Sequence, residues 1–300
     1  MWSNVQILTG APVFNVQLLL NGISVGAIFA LIAYGLALVW GVTSVKNLSQ
    51  GDMVMMGGYC GWELSKHGVH PIAAILPVAA FMFVFGWIIY RLVIRRVIQL
   101  DLFTSLLATF GLAITIQQSL NHIFGPEVRT LRSGLATISL FHGKVDITEI
   151  RLVAVALCIL VAAAMIVFLR YSRMGQAIRA TAQDPRAARV LGVDTDRVYS
   201  LTFSINAALC GAAGVLIAMV WVIQPFYGIA YSVRAFVIVT AAGLGNFSAV
   251  IVTALFLGVI EQYSGFVAGA QFQQATIVGL LLAILIVRRL ALLRHRKALQ

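Results

Sequence analysis

The chain has 300 residues, 61% of them hydrophobic and only 10% charged, against ~25% charged residues in a soluble domain. Its mean hydropathy of +0.96 excludes a soluble domain and marks an integral membrane protein. The net charge of +11 does not indicate a nucleic-acid binder, because the basic residues stand at the ends of apolar runs, where they set topology, and form no separate basic domain. Several uncharged runs reach the ~20 residues that a spanning helix needs. The period-two alternation of a membrane barrel is absent. The sequence therefore predicts an all-α, polytopic helical bundle forming one transmembrane domain over residues 1–300, with about eight membrane segments.

The first fifteen residues have neither a basic region nor a small-residue cleavage site, so no removed signal peptide is expected. Residues 14–42 form the first apolar run, punctuated by Gly22, Gly26, Gly35 and Gly41. Small residues let helices approach closely in lipid, so these read as packing positions. Asn21 stands apart as a candidate for a polar path. The polar stretch KNLSQGD, residues 46–52, leads into a short run from Met53 to about Leu64. A third run covers 72–90 and ends in Arg91, Arg95 and Arg96. The fourth, 102–124, contains Gln117, Gln118 and Asn121. Amides inside a span are costly unless they pair or face water. These three therefore either line a solute path or bond between helices.

Residues 125–150 read as a mixed loop with a small hairpin, LATISLF followed by HGKVDIT. The fifth run, 152–169, delivers the chain to its longest polar segment, Ser172 to Arg197. There Asp184 is placed to cap a helix, Pro185 suits its first position, and Gly192 is a natural stop. A helix shorter than ~12 residues is marginal alone in water, so this one needs something to dock against. The segment is either a contact surface for a cytoplasmic partner or an ordinary positive-inside loop. A sixth run covers 198–223. Residues 235–264 hold two shorter apolar pieces around Gly243-Leu244-Gly245-Asn246, which read as a hairpin of short spans or a re-entrant pair. The last run, 272–287, ends in a basic tail.

Placing Lys46, the 91–96 cluster, the 170–197 segment and the tail in the cytoplasm puts fifteen of the 21 Lys and Arg on that side. The N-terminus is then outside and the C-terminus inside. No phosphate-binding loop, zinc-protease helix or nucleophile elbow occurs. No catalytic residue and no metal site is expected, which disfavours a membrane enzyme. Cys60, Cys158 and Cys210 lie in or beside apolar runs and read as reduced packing residues. Asp52, Glu63, Asp101 and Glu261 fall near expected span ends. A self-coupled carrier usually holds ionisable groups at mid-membrane, so their scarcity there argues against one.

Several stretches resemble the permease subunits of branched-chain amino acid ABC importers of the LivH type. NGISVGAIFALIAYGLALVWGV with NLSQGDMVMMGGY is similar to that family's first helices. GQAIRATAQDPRAARVLGVD is similar to its cytoplasmic loop, and FVIVTAAGLGNFSAVIVTALFLGVIE to its late Gly-rich hairpin, with Ala242 for the usual Gly and Asn246 for the Ser. Residues 186–192 keep two alanines and the glycine of the E-A-A-x-x-x-G docking motif, but Arg186 replaces its Glu. The resemblance implies a coupling loop over 171–197 in which Gly175, Arg179, Ala180, Asp184, Arg186, Ala187, Ala188 and Gly192 face the engine. It further implies two ABC ATP-binding subunits carrying ATP and Mg, a LivM-like second permease, a periplasmic solute-binding protein, and residence in a bacterial inner membrane. No cofactor is expected on this chain. The solute is expected to be a branched-chain amino acid or a similar small polar molecule such as urea, an amide or an aromatic acid. A sugar importer permease and a self-contained secondary transporter or channel are the competing readings.

Overall fold

Pro12 opens α1 (Pro12–Thr43), a 32-residue helix that forms the axis of the bundle in the computed structural model, which describes residues 11–98, 100–132, 134, 137–140, 145–243 and 245–298. At ~1.5 Å per residue α1 is longer than the ~30 Å hydrocarbon core. In its apolar stretch 94% of the residues are buried, so other helices surround it. There follow α2 (Gln50–Lys66), α3 (Pro71–Ile89), α4 (Leu102–Phe124), α5 (Glu149–Tyr171), α6 (Arg173–Gln183), α7 (Pro185–Val190), α8 (Thr195–Val220), α9 (Gly228–Ala242), α10 (Phe247–Ala268) and α11 (Gln273–Ala298). Between α4 and α5 lies the expected hairpin. Strand β1 (Thr137–Leu140) pairs antiparallel with β2 (Val145–Thr148), Thr137 opposite Thr148.

Seven helices among the described residues are long and apolar enough to cross a membrane. Against the expected eight or so segments, α2 is shorter, with 17 residues. The break at 243–246 is where the sequence places it, with Gly243 and Gly245 at positive φ. The two arms differ, however. α9 starts at Gly228, seven residues before the expected 235, and has 15 residues, while α10 is a full 22-residue span.

Glycine sets the closest contacts, as the small-residue pattern of the first run implies. A Cβ on Gly22 would lie 2.6 Å from the Val259 Cα, and one on Gly26 2.6 Å from the Leu255 Cα, so α1 and α10 touch backbone to backbone. Gly57 meets Gly211 in the same way where α2 crosses α8. The α3, α4 and α5 stretches are only 28%, 28% and 22% buried, and their remaining apolar side chains face outward. A π-helical turn, Tyr90–Ile94, prolongs α3. It brings the Tyr90 hydroxyl to 2.7 Å from the Asp196 carboxylate, which also pairs with Arg95 at 3.2 Å. This ties the end of α3 to the start of α8.

The structure corrects two of the acidic positions. Glu63, Asp101 and Asp52 all stand at helix ends, Asp52 in the first turn of α2, but Asp52 (1% exposed) and Glu261 (6%) are buried in the bundle. Their neighbours explain the difference.

Candidate functional site

The polar stretch 46–52 is not a surface loop. Ser44 takes a left-handed turn, φ 57, and the chain runs back along α1 until Gln50 reaches the Ile32 carbonyl at 2.9 Å. Ile32 lies eleven residues before the end of α1, roughly 17 Å up the helix. α2 therefore starts inside the bundle. Polar groups this deep must be paired, and they are. Gln50 and Asn206 of α8 exchange amide hydrogen bonds, Gln50 Nε2 to Asn206 Oδ1 at 2.9 Å and Asn206 Nδ2 to Gln50 Oε1 at 3.1 Å. Asn47 Oδ1 accepts from the Ser49 hydroxyl at 2.7 Å. The Ser232 hydroxyl of α9 accepts from the Gly51 N–H at 2.8 Å and donates to the Leu48 carbonyl at 2.9 Å. Thr109 of α4 accepts from the Leu48 N–H at 3.3 Å. One connected polar core thus joins α1, α2, α4, α8 and α9.

Of the four path candidates, Gln117 joins this core. Its Nε2 donates to Asp52 Oδ1 at 2.9 Å. Asn121, one turn on, is partly buried and its Oδ1 has no partner. Gln118 points the other way and is exposed. Asn21 lies elsewhere, on α1, accepting a short hydrogen bond from Arg151 at the start of α5. The structure brings Gln117 and Asn121 onto one face of α4, and it separates Gln118 and Asn21 from them. Sequence reading missed Gln50, Asp52 and Asn206 as members of this core. The available signal was the conjunction of a polar heptad with an amide in the sixth run.

The basic segment forms two short helices at the opposite end of the bundle from Asn21. Ser172 caps α6, its hydroxyl accepting from the Gly175 N–H at 2.8 Å. Gly175, Ile178 and Thr181 turn inward. Gly175 presses on the α5 backbone at Phe168 and Leu169, so its smallness serves packing. Arg179 is exposed beside a cavity of ≈ 760 Å³ that reaches from α6 to Trp40 and to the 245–248 turn. Ala180 is half-buried. Asp184 caps α7, accepting from the Arg186 N–H at 2.8 Å and the Ala187 N–H at 3.1 Å, and these two donors hold its carboxyl below the ordinary carboxylate range. Gly192 ends α7 with φ +84. Arg186 and Ala187 face outward, but Ala188 is 2% exposed and packs into the chain's own fold. Beside them, Val190 and Leu191 are 87% and 81% exposed. Two large apolar side chains standing free at the end of a capped helix were not singled out from the sequence.

A third polar group lies between α9 and α10. Arg234 and Glu261 form a two-pronged ion pair, Nε to Oε2 at 3.1 Å and Nη2 to Oε1 at 2.5 Å, with side chains 12% and 8% exposed. Arg234 Nη1 also donates to the Ala230 carbonyl at 3.0 Å, and its guanidinium lies 5.3 Å from the Phe29 ring. A cavity of ≈ 250 Å³ opens beside the pair. Among the described residues, no group of three or more His, Cys, Asp or Glu is placed to hold a metal ion, and the three cysteines are free thiols.

Known proteins match this bundle over almost its whole length. A family described as branched-chain amino acid transport system / permease component matches residues 18–287. The high-affinity branched-chain amino acid transport system permease protein LivH of Escherichia coli K12 is 30% identical, over 91% of this chain and 94% of its own. The corresponding BraD protein of Pseudomonas aeruginosa is 29% identical, over 91% and 93%. LivM of E. coli K12 is 30% identical over 78% of this chain and 61% of its own. The helix that starts inside the bundle, the glycine-packed spans and the capped basic helices all fall within the matched region, and the chain belongs to the branched-chain amino acid transport system / permease component family.

Proposed function

We propose that this chain is one of two membrane-spanning subunits of an ATP-driven importer for branched-chain amino acids or similar small polar solutes. A LivM-like permease takes the second place, in keeping with the similarity to both LivH and LivM. Two ABC subunits bind ATP and Mg and supply the energy, and a periplasmic protein delivers the solute. The chain itself holds no cofactor and hydrolyses nothing. The α6–α7 end and the C-terminus face the cytoplasm of a bacterial inner membrane, and the N-terminus faces the periplasm.

The observation that carries the coupling part of this reading is the exposure of Val190 and Leu191 at the end of α7, flanked by Arg186 and Arg189. An apolar pair rimmed by polar residues is what a protein contact buries. Asp184 caps this helix at its start and Gly192 turns the chain away after its end. Because Ala188 faces inward, bulk placed there tests the fold, and Ala187 is the position that tests docking. Leu191→Asp and Ala187→Trp should leave insertion intact and abolish co-purification of the ATP-binding subunits. Loss of the burial of one Leu, ~1.5–3 kcal/mol, predicts at least a tenfold fall in recovery. Wild-type recovery with both variants would reduce the segment to a topogenic loop. Asp52 and the Arg234–Glu261 pair, ionisable groups within the bundle, favour as second reading a self-contained carrier. Solute uptake into liposomes holding the purified chain without ATPase would establish that instead.

A further inference from the structure

The cavity beside Arg234 and Glu261 is chemically unlike the rest of the bundle. One part of its wall is aromatic and aliphatic, with Val25, Phe29, Trp221 and Tyr231, and another part carries one full positive and one full negative charge. Phe29 stacks on Trp221 with centroids 6.2 Å apart, and the Arg234 guanidinium lies over Phe29 and Tyr231. Trp221, Val222 and Gln273 also line it; Trp221 and Val222 directly follow α8, at the end of that helix away from α6 and α7, and Val222 is 37% exposed. Its ≈ 250 Å³ is below the ~300–1,000 Å³ of drug-sized pockets and suits a solute of few heavy atoms.

We propose that this cavity is a binding station for an α-amino acid zwitterion with an apolar side chain, its carboxylate on Arg234, its ammonium on Glu261 and its side chain against Phe29 and Trp221. The proposal rests on the importer reading and narrows its solute class. A buried ion pair gains little stability over apolar packing, because the desolvation of both charges offsets their attraction. A zwitterion changes that balance. It brings one charge of each sign and exchanges partners with the pair, so no charge is left uncompensated at any stage of entry or exit. Guanidinium suits a carboxylate, which it grips with two parallel N–H donors. A neutral amide offers neither charge. A plain carboxylate or a plain amine satisfies one member and strands the other, at the cost of an unpaired buried charge. The same logic makes the station pass its solute on: the Arg234–Glu261 bond re-forms as the zwitterion leaves.

The test uses membranes holding the assembled transporter with Val222→Cys at the lip of the cavity, modification of position 222 by a maleimide being read by mass spectrometry. Leucine should slow the modification several-fold. 4-Methylpentanoate, which lacks the ammonium, and 3-methylbutylamine, which lacks the carboxylate, should not. In R234M/E261M, whose apolar pair keeps the packing between α9 and α10, leucine protection should vanish while the partner subunits still co-purify. If that variant fails to assemble, Glu261→Gln, nearly isosteric, should remove protection in the same assay. Undiminished protection in these variants, or equal protection by either single-charge analogue, overturns the proposal. So does absence of leucine protection in membranes that take up leucine with ATP. Protection without ATP-driven uptake would leave the station standing and overturn the importer reading, and absence of both would overturn both.

Discussion

Gln50 and Asn206 show how much rests on single side chains in the middle of this bundle. Each satisfies the other's amide, and Gln50 also holds the Ile32 carbonyl of α1. Truncating one leaves a buried polar group without its partner, at ~1–3 kcal/mol. Gln50→Leu and Asn206→Leu should each lower the melting temperature of the detergent-solubilised protein by several degrees. The double variant should recover part of that loss, because two apolar groups leave no orphaned amide between them. Strictly additive losses in a thermal-shift series would mean that the pair is not coupled. Asn206 was visible in the sequence as an amide within a run and Gln50 as part of a polar heptad. Their contact was not, since 156 positions separate them.

At the scale of the element, α7 was the most legible part of the chain. Its cap, its first-turn proline and its terminal glycine are local signals, each acting within a few residues, and all three are in place. The pH behaviour of the cap follows from its hydrogen bonds. The Asp184 carboxyl is held below its ordinary value, so the ionised cap stabilises α7 at neutral pH and loses that effect as pH falls through the lowered pKa, beneath the usual ~4 of a carboxylate. Hydrogen-exchange protection of the Arg186 and Ala187 amides should be unchanged from pH 8 to pH 5 and fall only at a pH below the usual carboxylate range. Asp184→Ala should show the low-pH pattern at every pH. Protection independent of pH in the wild type would exclude the carboxylate as the cap. The sequence did not reveal which side of α7 faces the protein. That depends on where α6 and α8 deliver the chain, and it turned Ala188 inward while leaving Leu191 free.

For the whole molecule the open variable is its direction across the membrane. The proposed topology puts the basic residues at 170–197 and in the C-terminal tail in the cytoplasm, the side that the positive-inside bias favours for them. Cysteine introduced at the exposed Gln176 should then resist impermeant thiol reagents in intact cells, and cysteine at Gly134, near the opposite end of the bundle, should react. The reverse labelling would invert the proposed topology and move the Arg234–Glu261 cavity to the cytoplasmic side.

The sequence by itself determined the membrane class, the all-α architecture, most helix boundaries, the β1–β2 hairpin and the 243–246 break. Each of these follows from local composition, from the length of apolar runs, or from caps and glycines acting within a few residues. The tertiary structure alone decided the starting depth of α2, the burial of Asp52 and Glu261, the pairing of Gln50 with Asn206 and of Arg234 with Glu261, and the separation of Asn21 from Gln117. A short polar stretch reads alike whether it lies in water or folds back into a bundle. The difference is made by partners on other helices: an Asn on α8, a Ser on α9 and a Gln on α4 supply the hydrogen bonds that let the chain re-enter, and no window of sequence contains them together.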